Sequence, residues 1–183
     1  MKLVEMIWVT SGRHPETEAL ICKATKSRFG HAAIRMEIPG RGICICEAVR
    51  PVAQIVDNPN YFDGATAIEI LPVEVTDEQW ERIVARALEC EGKPYGVDSC
   101  IVGGVHDLTE QVFGDHVADR VAGMVDRAID NPDYRNCSEM QTYMMQGAFD
   151  AYAAGIEITT LTPEGSREKA WPFFREGACA PGY

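Results

Sequence analysis

The sequence holds no apolar run near the roughly 18 residues that a membrane-spanning helix needs. Its opening, Met1 to Thr10, is broken by Glu5 and is too short for the apolar core of a signal peptide, so it reads as a first strand. It lacks an excess of positive charge: 28 acidic residues stand against 17 basic ones, a formal net charge of −11, which argues against a nucleic-acid or anionic-membrane surface. It lacks the paired cysteine spacing of a small secreted framework, and its seven cysteines, an odd number, read as mostly reduced thiols of a cytoplasmic protein. Gly103-Gly104 lacks the spacing and the following Lys-Ser/Thr of a phosphate-binding loop, which excludes that route to a nucleotide. There is no internal repeat, low-complexity tract or obvious linker. What is present, 183 residues of which 46% are hydrophobic, suffices for one good core, so residues 1–183 read as a single domain.

A strand over residues 2–10 is expected, stopped by Ser11-Gly12, then a short helix from about Pro15 to Lys26. Residues 29–38 and 43–49 read as two strands of a hairpin closed through Pro39-Gly40. Residues 51–65, rich in Asn, Asp, Pro and Gly, read as a loop or short helical excursion. Residues 67–73 read as a strand entering a kink at Pro72. Thr76 with Gln79 forms a capping box, and Trp80, Ile83, Val84, Ala87 and Leu88 mark the stripe of a helix running to about Glu91. A second amphipathic helix is expected over residues 117–129 from Val117, Val121, Met124, Val125, Ala128 and Ile129. Between residues 105 and 139 lie eight acidic residues and three arginines, most simply a solvated face. A further helix is expected from Asn136 to Phe149 or Tyr152, packing on Met140, Tyr143 and Met144, with a short strand from Ile156 to Leu161 after it.

Chemistry concentrates at Asn136-Cys137-Ser138-Glu139. Asn136 caps a helix and Glu139 returns the hydrogen bond, which sets Cys137 at the first helical position. Unpaired first-turn amides and the positive end of the helix dipole favour a thiolate there. Acyl transfer by a thiol also needs an imidazole within reach and a polar group to fix its tautomer. His31 and Glu47, on successive strands of the hairpin, are the candidates for base and orienter. A one-residue slip of register decides whether they share a face. Other readings carry less: Cys44 and Cys46, two apart on a strand, are spaced as core thiols rather than as a zinc knuckle. His106 and His116, with Asp107 and Asp115 beside them, match no metal signature, so neither metal nor cofactor is expected.

The run Leu20 to Ile34 with its Phe-Gly-His-Ala-Ala-Ile, the strand ending Cys46-Glu47-Ala48, Gly92-Lys93-Pro94-Tyr95, Asn136 to Met140 and the late Leu161-Thr162-Pro163 resemble the circularly permuted papain-like cysteine hydrolases. These include the YiiX and YebB group of the NlpC-type superfamily, to which lecithin retinol acyltransferase is distantly related. The resemblance covers residues 6 to 165 and is most specific in the Cys-Ser-Glu trio after the His-Ala-Ala-Ile strand. It implies an α+β, permuted papain-like fold: an antiparallel sheet or small barrel packed against helices, with the nucleophile at a helix N-terminus. It assigns His31 as base, Glu47 as third member and Cys137 as nucleophile. Two departures stand out, Val4-Glu5 where Gly-Asp commonly precedes the first strand, and Asn136 where an aromatic commonly precedes the cysteine.

The expected function is a thiol hydrolase or acyltransferase acting on an amide, peptide-like or lipid ester bond, such as that of a peptide, a peptidoglycan fragment or a lipid. Cys137 attacks, its own N–H helps hold the oxyanion, and Tyr95 is the candidate for a further oxyanion or substrate contact. The alternative is an inactive papain-like binding module, a phage or host-interaction protein that retains the same residues.

Overall fold

The computed structural model describes residues 1–10, 15–24, 27–96, 135–154 and 161–175. The expected helix over 117–129, the Gly103-Gly104 loop, His106, His116 and most of the short strand 156–161 lie outside the described residues. Within them the chain forms β1 (Lys2–Thr10), α1 (Pro15–Ala24), β2 (His31–Ile38), β3 (Gly42–Ala48), β4 (Ala53–Val56), β5 (Ala67–Val75), α2 (Asp77–Cys90), α3 (Cys137–Gln146), α4 (Asp150–Ala154) and α5 (Pro163–Arg175). The class is α+β. The strands make one five-stranded antiparallel sheet in the order β4-β3-β2-β1-β5, and helices pack against it.

The two faces of the sheet follow from strand alternation. Val4, Met6 and Trp8 of β1, Ala32, Ile34, Met36 and Ile38 of β2, and Cys44 and Cys46 of β3 join Ile83 of α2, Met140 and Met144 of α3 and Ala170 of α5 in the main core. The opposite residues, Ile7, Val9, Ala33 and Ile45, gather a smaller cluster around Tyr61. Central strands buried on both faces read as nearly continuous apolar runs, as Met6 to Val9 does. The β2–β3 hairpin turns through Gly40 and Gly42, at φ 75° and 79°, a conformation that a side chain would strain.

Three expectations change here. Residues 53–56, read as loop, are an edge strand paired with β3, because Ala53 and Ile55 each bury a side chain and four residues suffice at an edge. Strand β5 runs through Pro72 to Val75, two residues past the expected end, and with β1 its one partner among the described residues it tolerates a residue without an N–H. The helix that starts at Cys137 stops at Gln146, with Gly147 as its C-cap, and α4 follows as a separate turn. A β-carbon on Gly147 would lie 2.7 Å from Cδ of the Arg86 side chain, which packs over the chain there and would have to shift. Helix α5 was not expected. Pro163 at its first position and Thr162, whose hydroxyl accepts from the Gly165 N–H at 3.0 Å, start it. No helix among the described residues is long and apolar enough to cross a membrane.

Candidate active site

Helix α3 begins as its sequence dictates. Asn136 is extended (φ −77°, ψ 178°), its Oδ1 accepts from the Glu139 N–H at 2.9 Å, and Glu139 Oε2 accepts from the Asn136 N–H at 2.9 Å. The first-turn N–H groups of Cys137 and Ser138 take no part in this capping box. The segment before the cysteine is fixed by a second contact: Gly96 N–H donates to Arg135 O at 3.0 Å and Tyr95 bridges Arg135 in parallel. A β-carbon on Gly96 would sit 3.0 Å from the Arg135 carbonyl carbon, so glycine permits this approach.

Buried polar groups dock α3 on the sheet. The Gln141 side-chain amide donates to Ile7 O at 3.1 Å and to Ala33 O at 2.8 Å. Ile7 and Ala33 are paired residues of β1 and β2. One nitrogen can reach both carbonyls only if both face the seam between those strands, and backbone alternation then turns the Ala32 N–H the other way, towards β3. The β2–β3 ladder ends at Ile34 opposite Cys46, so among the described residues no β3 partner meets that N–H. The Ala32 backbone is there among the groups that lower the Cys137 thiol. Trp8 Nε1 donates to Ser166 Oγ at 2.8 Å, and Ser166 Oγ lies 3.3 Å from Gln141 Oε1, tying α5 into the same network.

The register settles the face. Arg35 pairs with Ile45, which places His31, Ala33 and Glu47 on one side of the sheet. His31 Nε2 lies 2.8 Å from Glu47 Oε2, a diagonal contact beyond the end of the ladder. Glu47, 2% exposed, also accepts from Gln54 Nε2 at 2.9 Å through Oε1 and from the Tyr61 hydroxyl at 2.9 Å through Oε2. With Nε2 on the carboxylate, Nδ1 is the ring nitrogen left for the thiol, and the charged forms of His31 and Cys137 favour one another. Ser138 Oγ lies 3.9 Å from the sulfur.

The electrostatics favour the charged forms. Burial alone would push the imidazole down, but Cys137 and Glu47 together raise it from 6.5 to about 10. Burial would raise the Glu47 carboxyl, yet His31, Gln54 and Tyr61 hold it at about 2. Burial also works against the Cys137 thiolate, and the imidazolium, the Ala32 N–H and Ser138 outweigh it, so that thiol is lowered. Cys44, Cys46 and Cys90 go the opposite way, each raised first by burial. A single cysteine of that set is thus prepared as a nucleophile.

The structure brings together Cys137, His31 and Glu47. Tyr95 lies beside the approach to Cys137 and packs, half-buried, against the main core. Sequence reasoning missed Gln54, Tyr61, Gln141 and the Ala32 amide. Gln54 stands opposite Glu47 in the β3–β4 pairing, a position legible only once β4 is known as a strand. Tyr61 sits among turn residues with no pattern to mark it. Neither a protein-family model nor a curated protein matches the chain, so the reading of the site rests on its geometry.

Proposed function

We propose that the protein is a thiol hydrolase or acyltransferase of the circularly permuted papain-like kind, acting on an amide, peptide-like or lipid ester bond. The observation that carries this is His31, held 2.8 Å from Glu47 Oε2 on one side while its charge favours the Cys137 thiolate on the other. The thiolate attacks the carbonyl carbon, and the oxyanion forms beside the first-turn N–H groups of α3, at the positive end of the helix. The tetrahedral intermediate collapses and the imidazolium gives its proton to the departing amine or alcohol, leaving a thioester at Cys137. Neutral His31 then takes a proton from water, or from an acceptor alcohol or amine, which attacks the thioester. Collapse expels the thiolate beside the imidazolium already formed, which restores the ion pair and releases the acyl group as the free acid or on the acceptor. Glu47 stays ionised throughout and holds the ring.

Screening amide, ester and peptidoglycan-fragment probes against the wild type and Cys137→Ala tests the reading. The wild type is expected to form an adduct at Cys137, with iodoacetamide labelling at neutral pH lost in Cys137→Ala and slowed in His31→Ala. Equal labelling of wild type and Cys137→Ala would sink it. One observation favours the rival, a binding module that retains these residues: Cys137 is only 4% exposed. Iodoacetamide modification no faster than in the unfolded chain would decide for that module.

A further inference from the structure

We infer that Tyr61 is a positioning residue for this chemistry: with Gln54 it fixes the buried Glu47 carboxylate as an acceptor aimed at His31 Nε2, and so decides which ring nitrogen faces Cys137. The inference rests on the thiol-hydrolase reading above and extends it to a residue in a turn-rich segment far from either catalytic strand in its sequence pattern.

The geometry leaves Glu47 little freedom. Its Oε2 takes two donors, His31 at 2.8 Å and Tyr61 at 2.9 Å, while Oε1 takes Gln54 at 2.9 Å. Rotating the carboxylate to free either oxygen would break bonds to both supports at once, in a site where Glu47 is 2% exposed and water cannot replace them. Tyr61 is itself held. Its ring is 1% exposed, packs with Ile7, Val9, Ala33 and Ile45, and meets Phe62 edge-on at 5.2 Å between centroids. The hydroxyl is therefore aimed by core packing rather than by the carboxylate it serves. A carboxylate accepting from three donors has no reason to protonate, and a ring pinned through Nε2 presents Nδ1 to the sulfur.

Among the described residues, few charged or titratable groups surround this carboxylate. His31 faces it from β2, Tyr61 from the turns after β4, neutral Gln54 from β4 and neutral Cys46 from its own strand, with Cys137 of α3 beyond the ring. Gln54 and Tyr61 both lower the Glu47 carboxyl. Removing the phenol hydroxyl thus lets Glu47 protonate at higher pH, and with it goes the support for imidazolium and thiolate.

The test is the pH–rate profile of iodoacetamide labelling at Cys137, read by mass spectrometry on the full chain, in wild type, Tyr61→Phe, Glu47→Gln and the double variant. Tyr61→Phe is expected to move the acid limb upward by about one pH unit, the size of one hydrogen bond to a charged group. In the Glu47→Gln background the same change is expected to move nothing, because the group it acts through is gone. Gln54→Leu, which leaves the Tyr61 core intact, is expected to repeat this pattern and serves if Tyr61→Phe does not fold. An unmoved limb, or an equal shift in both backgrounds, would overturn the inference and leave the catalytic pair standing. A wild-type profile of an ordinary thiol would overturn the reading of the site and this inference with it.

Discussion

The Gln141 side-chain nitrogen lies 2.8 Å from the carbonyl oxygen of Ala33, two residues along β2 from His31. That contact fixes the height of α3 on the sheet. Gln141 is four residues after Cys137, hence one turn along the same face of the helix, so the amide that grips β2 also sets where the thiol meets β2. The same residue grips Ile7 of β1 and receives α5 through Ser166.

Replacing Gln141 by Leu removes this grip while keeping the volume. Both strand carbonyls retain their ladder partners, so the main losses are the amide's own bonds and the Ser166 contact. We expect destabilisation of about 1–3 kcal/mol in urea unfolding and slower labelling of Cys137. Unchanged stability and unchanged labelling would show that α3 is docked by its apolar contacts alone.

Glu47→Gln tests the ionic side of the site through stability. The Glu47 carboxyl, at about 2 against 4.5 in the ordinary case, contributes stability that is complete above about pH 4.5 and is lost as pH falls through about 2. His31, raised from 6.5 to about 10, contributes stability that is complete below about pH 6.5 and is lost as pH rises through about 10. In Glu47→Gln the first contribution disappears and the second is lost at lower pH, since the imidazolium has lost its carboxylate. Urea midpoints of the two proteins across the pH range measure both. Parallel curves would contradict the assignment of the ion pair.

Gly96→Ala probes the contact that leads into Cys137. The added β-carbon would stand 3.0 Å from the Arg135 carbonyl carbon and 3.1 Å from the Asn136 nitrogen, so the backbone must move by a few tenths of an ångström at the residue that caps α3. We expect a stability loss of about 1–3 kcal/mol and a larger relative loss of labelling rate at Cys137. A stability loss with a normal labelling rate would show that the approach segment does not position the thiol.

The sequence carried most of the elements because their signals are local. Thr76 with Gln79, and Asn136 with Glu139, each spell a capping box that forms as written. The pairing of β2 with β3 follows from two apolar strands joined by a glycine-containing turn. The misses are equally physical. Strand β4 is four residues long among turn formers and gains its identity from a neighbour rather than from its own pattern. Helix α5 carries Gly165 in its first turn and Pro172 inside it, so its helical periodicity is weak on paper. Its place comes from the main core and from Ser166, which meets Trp8 and Gln141 across the chain.

By itself the sequence determined that Cys137 opens a capped helix and that a histidine and a glutamate occupy successive strands, since caps and strand alternation need nothing beyond adjacent residues. Only the tertiary structure decided that the hairpin register turns His31 and Glu47 to one face. Only there does the Ala32 backbone come to favour the thiolate, and only there do Gln54 and Tyr61 close on the carboxylate. Each depends on which distant backbone groups find partners, and one residue of slip in a period-two strand would have reversed the face.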